Sequence, residues 1–182
     1  MSEEEQFRLL NKIKLSQIEL AEREEELLSQ GEELKAAIEH LEERNITYTG
    51  AGRNINEALK VQYVDIKGVR IGFFGATEII PFQSWIATET DGGIMPLKEI
   101  YYEMIFQTLT DARENCDFLV VNLHWGREYV NYPTENQKKL ARRIIDSGAD
   151  MIVGTHPHVL QGIEFYNAGI IFYSTGNFVF YK

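Results

Sequence analysis

The chain has 182 residues with 28 acidic and 18 basic side chains, a formal charge of −10, and one cysteine. Its length fits a single domain, and 44% hydrophobic residues exclude wholesale disorder. The lone Cys116 excludes a disulfide framework and a cysteine-rich metal site. The acidic balance argues against nucleic-acid binding. No apolar run approaches the ~18 residues of a membrane span, and the N-terminus lacks a signal-peptide apolar block.

The negative charge is concentrated in the N-terminal quarter of the chain. Residues 1–46 hold 13 Glu and 6 Lys or Arg, so they carry −7 of the −10. Leucine or isoleucine recurs there every seven residues in one narrow stripe: Ile13, Leu20, Leu27, Leu34 and Leu41. A single stripe indicates helices that lie on a larger body rather than a self-sufficient coiled coil. We therefore predict an acidic helical segment over 1–46 that packs on the core with its glutamates in solvent.

The second helix of this segment has start and stop signals. Ser29 and Glu32 have the spacing of a capping box, which places the helix start near Gln30. Asn45 is a residue that readily takes the left-handed conformation at a helix end. The helix is therefore predicted to run from about residue 30 to residue 44.

From Tyr48 onward the sequence has the pattern of a mixed α/β fold. The first predicted elements are a loop at 50–52, a short helix at 55–59, two strands at 61–66 and 69–76 joined by a hairpin turn, and a loop at 77–97. A helix follows, with Ile100, Met104, Ile105, Leu109 and Ala112 on its inner face, and then a strand at 118–123 that is buried on both faces. The remaining elements are a helix at 137–146, a strand at 151–153, paired strands at 159–166 and 170–174, and a strand at 178–181. Strands that alternate with helices predict a parallel sheet. We expect one domain overall, with 47–182 as its α/β body.

Three of the four histidines follow two of the buried strands. His124 follows the strand at 118–123, while His156 and His158 follow the strand at 151–153. Ligands collect at the carboxyl ends of parallel strands, so the three rings should share one rim of the sheet. Imidazole is a common ligand of zinc, manganese and iron. By themselves these residues fit either a divalent-metal site or a polar structural cluster.

Several segments together resemble a known family. They are VNLHWGREYVNYP (121–133), GADMIVGTHPHVLQGIEFY (148–166) and FYSTGNFVF (172–180), with shorter matches at 49–54, 69–72 and 82–88. Over residues 29–182 the chain resembles the CapA family of poly-γ-glutamate (capsule) biosynthesis proteins, which have the calcineurin-like metallophosphoesterase fold. The resemblance implies a truncated metallophosphoesterase-like α/β sandwich and a role in capsule synthesis at the bacterial cell envelope. It also implies a divalent metal (Mn, Zn or Fe), no organic cofactor, and an anionic small-molecule or polymer substrate.

The resemblance also implies roles for individual residues. By position, His124 and His156 would bind one metal ion and His158 a second. Glu128 stands where the family keeps a glutamate near the site, so with His124 it is the expected catalytic group, acting as an acid, a base or an orienting residue. Arg127 and Asn177 are the expected substrate contacts. Two simpler readings remain for these side chains: Glu128 pairs with a basic neighbour, and Asn177 caps a turn.

The sequence departs from the family pattern at its N-terminal end. Two acidic metal-binding motifs of the family have no counterpart, and Ser29 and residues 24–26 stand where an aspartate and Asn-Asn-His are usual. The missing groups normally complete a two-metal clamp. The sequence thus leaves two functions open: a metallophosphoesterase-type enzyme with an incomplete site, or a non-catalytic remnant or engineered fragment serving as a binding or scaffold module. Exposed strand edges would also allow a homodimer.

Overall fold

The computed structural model describes residues 32–177, together with residues 5, 8, 12–14, 16 and 17. Within the described residues, no helix is long and apolar enough to span a membrane. The predicted strand at 178–181, Ser29 of the capping box, and Leu20 and Leu27 of the heptad stripe lie outside them. Ile13, the stripe residue described near the N-terminus, is helical and exposed.

The acidic helix α1 covers residues 32–43 and packs through a narrow stripe. Ile38 is buried, and Leu34 and Leu41 beside it are half-buried. The glutamates of α1 are exposed, as the charge pattern predicts. The helix ends before Asn45, whose φ of 53° is the left-handed stop expected from the sequence.

A mixed six-stranded sheet forms the centre of the molecule. The strands in chain order are β1 (Ala51–Gly52), β2 (Gln62–Ile66), β3 (Val69–Thr77), β4 (Gly93–Ile94), β5 (Phe118–His124), β6 (Met151–Thr155), β7 (Ile163–Tyr166) and β8 (Gly169–Phe172). The main sheet has the order β2-β3-β5-β6-β8-β7, and β1 pairs separately with β4. The four central strands are parallel, whereas β2 and β7 pair antiparallel at the two edges.

Two amphipathic helices cover one face of the sheet. They are α3 (Tyr102–Arg113), which lies against β3 and β5, and α4 (Glu135–Asp146), which lies against β6. The short helix α2 (Ile55–Ala58) lies instead against β1 and β4. Helix α4 begins with a capping box between Thr134 and Gln137 and is followed by Gly148 at a φ of 111°. The core lies between these helices and the inward residues of the strands, among them Phe74, Val121 and Ile152.

The predicted α/β fold class is confirmed, but several details of the sequence prediction are wrong. Residues 51–52 form strand β1 and residues 93–94 form strand β4, although both segments are predicted as loops. The strand predicted at 159–166 begins only at Ile163. Ile100 lies in a 3₁₀ turn before α3 and is 85% exposed, and Met104 is also exposed. Phe106 is buried on the inner face in their place, and Ile100 lies outside the helix because α3 begins only at Tyr102.

A further correction concerns the central strand β5, which was predicted to be buried on both faces but is so only in its first half, where Val120 is buried on the face opposite the helices. Leu119, Val121 and Leu123 face the helices and are buried. Asn122 and His124 alternate with them and are exposed on the opposite face. The helix-free face is therefore accessible in the middle of the sheet, next to the strand end that carries His124.

Candidate metal centre

The ends of β5 and β6 bring the three predicted histidines together. The two strands are parallel neighbours, and the register places His124 beside Thr155, the residue before His156. The ring centroids of His124 and His156 are 4.7 Å apart, and those of His156 and His158 are 5.8 Å apart. We call these three residues the histidine cluster. Its place at the carboxyl ends of parallel strands is the one predicted from the sequence.

The backbone that carries His156 and His158 is strained. Both residues have positive φ, 94° and 59°, on either side of the buried Pro157. Left-handed backbone costs a non-glycine residue about 1–2 kcal/mol, and such strain persists only where the surrounding structure holds it. Here the Tyr129 N–H donates to the Pro157 carbonyl at 2.8 Å and thereby ties this loop to the loop after β5.

Glu128 completes a group of ligand atoms on the same rim. One carboxylate oxygen of Glu128 and one ring nitrogen each from His156 and His158 all lie within 4.8 Å of one another. Within the described part of the chain, no salt bridge joins Glu128 to Arg127. The simpler reading of Glu128 as the partner of Arg127 is therefore not what the geometry favours.

A hydrogen bond orients His158, and burial affects His124. The His158 Nδ1 and the Asn177 Oδ1 are 2.9 Å apart, and because an amide oxygen can only accept, the His158 Nδ1–H is the donor. The lone pair of the neutral His158 ring is then on Nε2, where it is free to bind a metal ion. Burial lowers the pKa of His124, and the nearby charges of His156 and His158 lower it further. A lowered pKa favours the neutral ring, which is the form that can bind a metal ion.

One residue of the rim, Glu78, was missed in the sequence analysis. It follows the last residue of β3, Thr77, which pairs with His124 at the end of β5, and its carboxylate accepts from the Gly126 N–H at 2.9 Å. Its own N–H donates to the His124 carbonyl at 2.8 Å. Glu78 therefore fixes both ends of the turn that leads to Glu128. The strand-end rule that found the histidines would also have found it, had β3 been placed as their neighbour.

An open groove adjoins the cluster on the helix-free face of the sheet. Its volume is about 390 Å³, and it is lined by Thr49, Gly50, Ala51, Gly75, Ala76, Thr77, Ile94, Asn122, Leu123, His124 and Thr155. Gly50 lets one wall of the groove pack closely on β3, since a Cβ added there would lie 2.8 Å from the Gly75 carbonyl oxygen. Arg127 and Asn177, the predicted substrate contacts, are exposed near the rim. Their contact with a substrate stays a prediction.

The donor set of this rim fits a divalent cation. Imidazole nitrogens suit zinc and iron, and a carboxylate oxygen suits manganese as well. The charge balance is incomplete, since Glu128 is the single carboxylate grouped with the histidines among the described residues. One ion can be held by such a set, whereas a two-metal clamp requires further anionic ligands.

Comparison with known proteins identifies the family. Two relatives are the capsule biosynthesis protein CapA of Bacillus anthracis, 39% identical over 80% of this chain, and the PGA biosynthesis protein CapA of Bacillus subtilis (strain 168), 40% identical over 81%. The chain spans 36% and 38% of their lengths. A phosphatase structure from Mycoplasma pneumoniae is similar over 64% of this chain and 35% of its own, with 13% identity and a TM-score of 0.39. The model of the family described as bacterial capsule synthesis protein PGA_cap matches residues 27–182, so the chain belongs to that family.

Proposed function

We propose that this chain contributes a divalent-metal site to capsule or poly-γ-glutamate biosynthesis, and that the site handles phosphoester or γ-glutamyl groups of an anionic substrate. The observation that carries the proposal is the convergence of Glu128, His156 and His158, whose ligand atoms lie within 4.8 Å of one another. The strained backbone at both histidines supports a functional role, because strain of this kind concentrates at functional sites.

The neighbouring residues hold the proposed ligands in place. Asn177 fixes the tautomer of His158, as the outer partners of metal-binding histidines commonly do. Glu78 and the bond between Tyr129 and Pro157 hold the two loops against each other. A bound divalent ion would supply Lewis-acid polarisation of a phosphoryl-type oxygen. Glu128 would bind the ion or exchange a proton with the substrate, and His124 would line the groove beside it.

A second function, a non-catalytic binding or scaffold module, is favoured by one specific observation. The group of potential ligands among the described residues contains one carboxylate, Glu128, and Glu78 already accepts from Gly126. Catalysis by a two-metal clamp needs anions that bridge and neutralise both ions. On this alternative the chain binds one ion or an anionic polymer without turning it over.

Metal binding is tested by calorimetric titration of the chelator-treated chain with Mn²⁺ and Zn²⁺. We expect about one equivalent to bind, and the double variant His156→Ala/His158→Ala to lose at least about tenfold in affinity. His40→Ala is the matched control, because His40 is exposed on α1 and bonded to Arg44. Equal affinity of the wild type and the double variant would refute the proposed site.

Catalysis is tested separately, by hydrolysis of a p-nitrophenyl phosphodiester with added Mn²⁺. The enzyme function predicts a rate that falls in the double variant and also in Glu128→Gln, which keeps the shape of the side chain but removes its charge. A wild-type rate equal to that of the double variant, combined with intact metal binding, would establish the non-catalytic alternative instead.

A further inference from the structure

The two edges of the six-stranded sheet differ in how they are protected. Edge strand β2 carries Asp65 and is followed by Lys67 in its turn, and charges at sheet edges discourage pairing with other chains. Edge strand β7 instead presents two large apolar side chains: Ile163 is 58% exposed and Phe165 is 81% exposed. Both lie on the helix-free face, on the same side of the sheet as their β8 partners Phe172 and Ile170.

The backbone of β7 is unpaired at the same two residues. The Tyr173 N–H donates to the Gly162 carbonyl, and Ile170, which lies opposite Phe165, donates its N–H to Asp150 on the far side of β8. Hydrogen bonding alternates along antiparallel strands, so the N–H and C=O groups of Ile163 and Phe165 point away from β8. Among the residues that the structure describes, none bonds to these four groups.

We propose that two copies of this chain pair antiparallel along the outer edges of their β7 strands, with Ile163 of each copy opposite Phe165 of the other. The two-fold axis then passes beside Glu164. This register pairs all four outward groups of each strand, which gives four hydrogen bonds. It also sets a β-branched side chain against an aromatic ring twice, a favourable cross-strand pair. The other symmetric registers would use only one of the two outward residues.

The charges around the axis are compatible with a second copy. Each Glu164 carboxylate accepts from the Arg142 Nε at 2.8 Å and from the Tyr173 hydroxyl at 2.7 Å. Arg142 lowers the pKa of Glu164, and Lys138 adds a weaker attraction. Lys138 is itself paired with Glu135 at 2.8 Å, so each copy brings one ion pair, Glu164 with Arg142, to the axis. This pairing reduces the like-charge penalty that two unpaired carboxylates would impose there.

The size of the interface predicts a weak and reversible dimer. Ile163, Phe165 and the nearby Leu160, which is 72% exposed, present about 400 Å² of apolar surface per copy, taking roughly 200 Å² for each full side chain. Stable interfaces bury about 800 Å² per partner. We therefore expect dissociation in the micromolar range for the 182-residue chain.

Sedimentation velocity over a concentration series tests the dimer. The full chain should shift from monomer to dimer in the micromolar range, and Phe165→Lys and Ile163→Lys should each weaken association by at least about tenfold. Ile100→Lys is the matched control, since Ile100 is equally apolar and 85% exposed but lies in the turn before α3. A wild-type chain that remains monomeric at 200 µM would overturn the proposal. An equal loss of association in Phe165→Lys, Ile163→Lys and Ile100→Lys, with all three folded, would also overturn it.

A disulfide trap tests the register. In the Cys116→Ser background, Glu164→Cys places two cysteines opposite each other in a non-hydrogen-bonded pair, where the Cα atoms are about 4.5 Å apart and a disulfide can form. Tyr166→Cys is the control, because the proposed register puts residue 166 opposite residue 162. Covalent dimer at position 164 but not at 166 is the expected result. Equal or faster dimer formation at 166 would refute the register.

Discussion

Gly154 should tolerate no side chain, because it lies where β6 meets a tryptophan and a neighbouring carbonyl. A Cβ added at this position would lie 2.1 Å from the Tyr173 carbonyl oxygen and 2.6 Å from the Trp125 Nε1. The Trp125 Nε1–H donates to that same oxygen at 3.0 Å, and Trp125 is 1% exposed. Gly154→Ala would therefore push β6 away from Tyr173, which follows β8, and break the buried hydrogen bond between Trp125 and the Tyr173 carbonyl.

The cost follows from two separate effects. Overpacking a well-packed core typically costs 1–3 kcal/mol, and a buried donor left without its acceptor costs about 1–3 kcal/mol. We expect Gly154→Ala to lower the free energy of unfolding by about 3–5 kcal/mol, out of the roughly 5–15 kcal/mol that a domain usually has. Because Gly154 is two residues before His156, the strain should also reach the histidine cluster.

Urea unfolding followed by far-UV circular dichroism measures this cost. Gly162→Ala is the matched control, since no atom lies within 4 Å of a Cβ built there and its φ is not positive. The control should be neutral or slightly stabilising, by up to about 1 kcal/mol, because alanine restricts the unfolded chain. A loss below about 1 kcal/mol for Gly154→Ala, with an unchanged denaturant slope, would refute the steric reasoning.

Three further predictions concern the site and the acid stability of the fold. Asn177→Ala should weaken Mn²⁺ binding about 10-fold or more, because the Nδ1–H tautomer of His158 loses the acceptor that fixes it. Asn177→Asp keeps an acceptor and should retain the wild-type affinity for Mn²⁺. Calorimetric titration of both variants measures the difference. Mn²⁺ at ten times its dissociation constant should stabilise the chain by about 1.4 kcal/mol, measured as a rise in Tm that chelation reverses. The pKa of Glu164 is lowered by Arg142, so its contribution to stability is present above its ordinary value of 4.5 and is lost as the pH falls below it. Dilute Glu164→Gln should therefore be less stable to urea than wild type at pH 7, and the difference should shrink as the pH falls below 4.5.

The turns and helix ends were predictable because their chemistry is local. Lys67 and Gly68 have φ values of 52° and 87°, which the hairpin turn between β2 and β3 requires and which glycine accommodates. Asn45 and Gly148 end their helices for the same reason. In each case the residue itself restricts the backbone, so no knowledge of distant contacts is needed.

Pairings between distant segments could not be predicted in the same way. Strand β1 is two residues long and exists because Ala51 pairs with Ile94, which lies 43 positions further along the chain. A Gly-Ala-Gly sequence has no strand signal of its own. The contact between Glu78 and Gly126 is also non-local. The histidine cluster was predictable because a topological rule places strand ends together, but the rule gives a shared rim and not the distances.

The glutamates of α1 that the structure describes do not add ligands to the histidine cluster. Glu42 accepts from the Arg53 guanidinium at 2.6 and 3.0 Å and from the Tyr48 hydroxyl at 3.1 Å. The cavity that it lines contains none of the histidine cluster, and the other glutamates of α1 point into solvent, where salt screens their fields beyond about 8 Å. The charge of these α1 glutamates therefore gives the cluster no general affinity for cations. Among the described residues, a metal ion there would depend on Glu128, His156 and His158, so substitutions at these three positions should abolish binding that neutralising the α1 glutamates would leave intact.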